Sequence, residues 1–123
     1  MKIIDTTTYF EEKMMMELRF NILDPFVDKF IVCESKYSHS GKEKNIKFNK
    51  KDYPQFEEKI THIIVNKEPN DIIKKVNLNT SELRLNSVSR IKEQRNFIGD
   101  SLKDYSSEDY ILYSDNDEIP NLE

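Results

Sequence analysis

The sequence predicts an α/β fold, a mostly parallel sheet with helices on its faces. Three observations predict it. Short β-prone apolar runs alternate with helix-period segments, in the order strand-helix-strand-strand-helix-strand. The apolar residues cluster in such runs instead of spreading along the chain. The last run, Tyr110 to Ser114, ends abruptly in acids, the way a strand delivers carboxylates to the edge of a sheet.

The elements follow in order. Lys2 to Thr7 is β-prone. Thr8-Tyr9-Phe10-Glu11 fits a capping box, with Thr8 at the N-cap and Glu11 at N3. A helix is expected from there to about Leu23, with Phe10, Met14, Leu18 and Ile22 as its apolar stripe and Met15 beside them. Asp24-Pro25 stops it. Glu17 and Arg19 cannot share a face, so at least one of them turns toward protein. Lys29 to Cys33 is a buried strand ending at Glu34-Ser35, followed by a polar loop around Ser38-His39-Ser40-Gly41 and a lysine-rich stretch to Lys51. Lys59 to Val65 is the third strand, and the segment from Asn66 to Asn79 is irregular. A long helix is expected over about Ser81 to Lys103, burying Leu85, Val88, Ile91, Ile98 and Leu102, with Gly99 as a weak point.

Composition bounds the function. The 123 residues suffice for one domain with a modest core. A net charge of −4 offers no basic face for nucleic acid. No stretch approaches the roughly 20 apolar residues of a membrane span, and no signal peptide is visible. The single cysteine, Cys33, permits no disulfide framework, so a reducing, cytoplasmic setting is expected, and a buried structural thiol rather than a nucleophile. Only two glycines, Gly41 and Gly99, are present, which excludes a Walker loop and a Gly-x-Gly-x-x-Gly turn. His39 and His62 lack any zinc-ligand spacing.

The chemistry concentrates in Asp115-Asn116-Asp117-Glu118. Hard divalent cations such as Mg²⁺ and Mn²⁺ take oxygen ligands and leave positions open for phosphate. A solvated turn after a strand would read the same. A calcium loop is excluded by Pro120 at the position where an EF-hand needs glycine. Arg95-Asn96 on the long helix is either an exposed helical pair or a guanidinium fork for a diphosphate or ribose with an amide beside it. Glu34 is either a plain strand-end acid or a base-reading carboxylate. Lys42, Lys44, Lys47, Lys50 and Lys51 form a solvated run or a phosphate-attracting patch. Three strand ends, Thr6 to Tyr9, Glu34-Ser35 and Asp115 to Glu118, are expected on one edge, as a nucleotide crevice requires.

Several blocks together resemble one family. Val27-Asp28-Lys29-Phe30-Ile31-Val32-Cys33-Glu34-Ser35 with Tyr37-Ser38-His39-Ser40-Gly41-Lys42-Glu43-Lys44 is similar to the "VDxFVIVES…TFTGKxK" signature of glycosyltransferase family 17. Glu17-Leu18-Arg19-Phe20 resembles its Glu-x-Arg-Leu, Arg95-Asn96 its Arg-Asn, and Ser114 to Pro120 its "SDxDEIP". Its best-known members are β-1,4-mannosyl-glycoprotein 4-β-N-acetylglucosaminyltransferases. The resemblance implies the N-terminal, nucleotide-binding portion of a GT-A fold. It implies a UDP-sugar donor, UDP-N-acetylglucosamine by analogy, Mn²⁺ or Mg²⁺ on Asp115 and Asp117, and a glycan acceptor. It further implies that Thr7, Thr8 and Tyr9 line the nucleotide pocket, that Glu34 lies by the nucleobase, and that Arg95, with Asn96, faces the diphosphate or ribose. Ser38-His39-Ser40 departs from the family's Thr-Phe-Thr. The chain stops three residues after Pro120, so an acceptor half and a catalytic base are expected outside it, and no base can be named within it. A bacterial or viral protein without the anchor of vertebrate members is implied, and a homodimer across an exposed sheet edge is a further expectation. A non-catalytic sugar-nucleotide binder and a two-metal nucleotidyltransferase are the alternatives.

Overall fold

The computed structural model describes residues 1–103, 105–115 and 118–122. Four strands, β1 (Ile3–Tyr9), β2 (Lys29–Ser35), β3 (Ile60–Val65) and β4 (Tyr110–Ser114), form one sheet in the order β3-β2-β1-β4. Every neighbouring pair is parallel. Helix α1 (Lys13–Leu23) connects β1 to β2, and α2 (Thr80–Ser101) connects β3 to β4. The expected order of elements and the parallel sheet are both present. Among the described residues no helix is long and apolar enough to cross a membrane.

The two inner strands are buried on both sides, and their side chains alternate between two cores. Phe30 and Val32 of β2 and Tyr9 of β1 face α1, where Met16, Phe20, Leu23, Val27, Phe48, Tyr53, Phe56 and Ile60 complete the main cluster. Phe20 is its centre, with ring centroids 4.8 Å from Phe30, 5.0 Å from Tyr53 and 5.7 Å from Phe56. The first two are edge-on and the third is tilted, and edge-on pairs add roughly 0.5–1.5 kcal/mol each beyond the area they bury. Cys33 faces the opposite side, where Val65 and Ile98 form a smaller cluster with Ile63 and Leu102 against it.

Three local expectations are corrected. The first strand runs on to Tyr9, because Thr8 and Tyr9 pair in register with Cys33 and Glu34. Thr8 is therefore no N-cap, and the helix begins at Lys13 without a side-chain cap. Instead the Glu12 carboxylate accepts from the Phe10 and Glu11 amides at 3.0 and 3.1 Å. The buried face of α1 is Met16, Arg19, Phe20 and Leu23, whereas Phe10, Met14, Leu18 and Ile22 are exposed. This helix carries two apolar stripes, and the one that meets the aromatic cluster is buried.

The buried face of α2 is also different from the expected one. Leu85 and Val88 are exposed, Ile91 is half-buried, and Ile98 and Leu102 pack as expected. The helix docks largely through polar side chains. Asn86 exchanges two hydrogen bonds with the Ile73 backbone, and the Gln94 amide donates to the Cys33 carbonyl at 3.1 Å. Its start is a capping box: Asn79 accepts from the Glu82 amide at 2.9 Å and Glu82 accepts from the Asn79 amide at 3.1 Å. Asn79→Ala is expected to lower stability by about 1 kcal/mol, read as a shift in the urea midpoint at unchanged slope.

Candidate functional site

The carboxyl ends of β1, β2 and β4 open onto a cavity of about 270 Å³. β1 contributes Thr8 and Tyr9, with Phe10 just beyond it, β2 ends there at Ser35, and Asp115 follows β4. Helix α2 forms a wall with Ile91, Gln94 and Arg95, and the β2–β3 connection closes over it with Tyr37, His39 and Lys44. Such a crevice outside the carboxyl ends of a parallel sheet is where ligands of open α/β folds bind.

Of the residues singled out in the sequence, Thr8, Tyr9, Arg95 and Asp115 come together at this cavity. Arg95 and Asp115 face each other with 3.7 Å between Nη2 and Oδ1, and both side chains are about half exposed. The Arg95 guanidinium also lies over the Tyr113 ring at 5.4 Å, and its Nε donates to the Tyr113 hydroxyl at 3.2 Å. Tyr9 keeps its hydroxyl proton more firmly than a free phenol, through burial first and then the neighbouring Glu34 and Glu12 carboxylates. Asp117 and Asn116 lie outside the described residues.

The other candidates stand elsewhere. Thr7 is buried, and its hydroxyl donates to the Ser114 carbonyl at 3.0 Å, fastening β4 to β1. Asn96 is on a different side of α2, beside Pro69, Asn70 and Asp71. Glu34 is fully buried and does not line the cavity. Its Oε2 accepts from Lys44 Nζ at 3.0 Å and the Lys47 amide at 2.7 Å, while Oε1 accepts from the Phe48 amide at 3.0 Å and lies 3.2 Å from His62 Nε2. Burial alone would raise its pKa. The hydrogen bonds from His62, Lys47, Lys44 and Phe48 outweigh that and hold it at about 2. The carboxylate thus acts through Lys44, whose ammonium it aims at the cavity wall, 5.4 Å from the Phe10 ring centroid. Cys33 is buried, and its thiol is pushed up to about 12 by that burial and by Glu34, so it is an inert structural thiol.

Sequence reasoning missed the contribution of the β2–β3 connection. Tyr37, His39 and Lys44 stood in the block that resembles the family signature, but none was assigned a place at the site. The fold places them. Gly41 adopts a left-handed φ of 92°, its amide bonds to the Ser38 carbonyl at 2.9 Å, and the Ser38 amide bonds to the Lys42 carbonyl at 2.8 Å. A side chain at Gly41 would collide with the Arg90 guanidinium, which donates to the His39 carbonyl at 3.0 Å and to Glu68 at 2.7 Å. Helix α2 therefore holds the loop over the cavity.

Among the described residues no three His, Cys, Asp or Glu side chains converge as a ready-made metal cluster. A Mg²⁺-type site does not require one, since one or two carboxylates suffice when substrate phosphates complete the shell. Asp115 places one carboxylate at the cavity, with the cationic Arg95 and Lys44 also on its lining.

No curated protein and no solved structure matches the chain. The family model described as Glycosyltransferase family 17 matches residues 1–123, the whole chain, and the parallel α/β sheet is consistent with a GT-A-like domain. The chain belongs to glycosyltransferase family 17.

Proposed function

We propose that this chain forms the donor site of a metal-dependent glycosyltransferase that takes a UDP-sugar, with N-acetylglucosamine as the sugar and a glycan as the acceptor. The observation that carries the reading is the cavity itself, where Asp115 and Arg95 face each other at the strand ends while Lys44 stands on the wall. Tyr9, Phe10 and Tyr37 offer aromatic surface for a base, and Thr8 and Gln94 offer hydrogen-bonding groups. Arg95 and Lys44 would take the diphosphate oxygens, the first as a planar fork and the second as a point charge. Asp115 and Asp117 would hold Mn²⁺ or Mg²⁺, which supplies Lewis-acid neutralisation of the departing nucleoside diphosphate.

Calorimetric titration of UDP and UDP-N-acetylglucosamine, with and without Mn²⁺, tests the reading. Wild type is expected to bind more tightly with Mn²⁺. Asp115→Asn is expected to weaken that Mn²⁺-supported binding about 10- to 100-fold while leaving the metal-free affinity nearly unchanged. Binding without turnover on any glycan acceptor would favour a non-catalytic donor binder. A folded protein that binds no uridine nucleotide in either condition overturns the proposal.

A further inference from the structure

Arg19 lies on the inner face of α1 and is fully buried, in a helix position that its neighbours Met16, Phe20 and Leu23 fill with apolar side chains. Burying a guanidinium is costly unless every donor finds a partner. Nε donates to Asp5 Oδ2 at 2.7 Å and Nη2 to Asp5 Oδ1 at 2.6 Å, a bidentate pair with a carboxylate that is itself buried on β1. That pair uses only part of the fork. Nη2 also donates to the Ser114 hydroxyl at 2.5 Å, and Nη1 to the Asp115 and Glu118 carbonyls at 3.3 and 2.6 Å. The remaining donors thus reach the end of β4 at Ser114 and the carbonyls of Asp115 and Glu118, and the Glu118 amide donates to the Asp115 carbonyl at 2.9 Å. Next to Glu118, Ile119 packs against the main core.

We infer that Arg19 is a positioning residue for the end of β4: anchored on Asp5, it holds Ser114, the Asp115 carbonyl and the Glu118 carbonyl so that the Asp115 carboxylate stays at the cavity. Arg19 touches no ligand in this assignment. Its effect passes through the three backbone and hydroxyl oxygens it holds. An apolar side chain would serve the packing of α1 on β1, and a lysine would answer Asp5. Only a planar, five-donor fork meets the carboxylate and these oxygens together. The assignment deepens the donor-site reading proposed above and rests on it, since a held strand end matters to function only if the Asp115 carboxylate receives a cation.

The test compares wild type, the double variant Asp5→Leu/Arg19→Met and the single variant Arg19→Lys. The double variant removes both buried charges together and leaves neither orphaned. Arg19→Lys keeps a charge opposite Asp5 and gives up the bridge, so it serves if the double variant does not fold. Two quantities are read: the gain in UDP affinity that Mn²⁺ confers, and amide hydrogen exchange at Glu118, which needs no metal or nucleotide. In a folded variant the metal-free UDP affinity is expected to hold, the Mn²⁺ gain to fall about 10- to 100-fold, and the Glu118 amide to exchange faster. A merely structural role would leave the Mn²⁺ gain intact. A folded variant with wild-type Mn²⁺ gain overturns the assignment, whatever the exchange at Glu118. A wild-type protein with no Mn²⁺ gain overturns the donor-site reading instead, and the exchange at Glu118 then still decides whether Arg19 holds the end of β4.

Discussion

Arg19→Met, made alone, is expected to destabilise the fold by about 3–5 kcal/mol. The substitution removes the partner of Asp5, which is 1% exposed and takes both of its charge-paired bonds from this guanidinium. It also strips donors from Ser114, Asp115 and Glu118. Most of the loss comes from the orphaned carboxylate and not from the pair's own strength, because a buried ion pair gains in Coulomb attraction little more than its two charges lose in leaving water. Adding Asp5→Leu to Arg19→Met is therefore expected to recover most of the stability. Urea unfolding of the two single variants and the double variant, at a common slope, measures this. Equal loss in Arg19→Met and in the double variant would locate the cost in lost packing and lost contacts at the end of β4 instead.

The sequence reading succeeded where one local pattern decides and failed where two patterns competed. The strands were legible as short β-prone apolar runs, and Tyr110 to Ser114 was placed to the residue, although as an edge strand it is largely exposed and not buried as expected. The inner face of α1 was not legible, because apolar residues stand on two of its sides and spacing alone cannot choose between Met14-Leu18-Ile22 and Met16-Phe20-Leu23. The choice is made by Phe48, Tyr53 and Phe56, which arrive from a connection that reads as polar and lysine-rich. The long helix misled for another reason: Asn86, Arg90 and Gln94 dock it through hydrogen bonds, while the apolar period that Leu85 and Val88 began lies on the exposed side. The expectation that Glu17 or Arg19 turns inward was sound, and Arg19 is the one that does. At the site, position at the carboxyl end of a strand sufficed to bring Thr8, Tyr9 and Asp115 together, whereas the burial of Glu34 depends on a long-range fold-back that no motif encodes.

Glu34→Gln is expected to cost about 2–3 kcal/mol at neutral pH and to remove much of the protein's acid sensitivity. The carboxylate oxygens receive the Lys47 and Phe48 amides, the Lys44 ammonium and His62, and an amide in their place turns an NH₂ toward donors. In the folded protein Glu34 titrates at about 2, below its ordinary value of 4.5, because those bonds overcome the opposing effect of burial. The unfolded chain therefore takes up this proton first as the pH falls. The stability that Glu34 contributes is complete above its unfolded pKa and is lost as the pH drops from there through about 2. The depression corresponds to about 3 kcal/mol over that whole window. Urea midpoints of wild type and Glu34→Gln at about pH 6 and about pH 3 read it, and the two proteins are expected to converge by about 2 kcal/mol at the lower pH. Parallel profiles would show that other carboxylates dominate acid unfolding. The same variant separates support from contact at the cavity. Releasing Lys44 from its carboxylate frees the ammonium to swing off the wall, so a folded Glu34→Gln should bind UDP more weakly if Lys44 meets the diphosphate. Wild-type affinity in that variant would leave Arg95 as the cation that does.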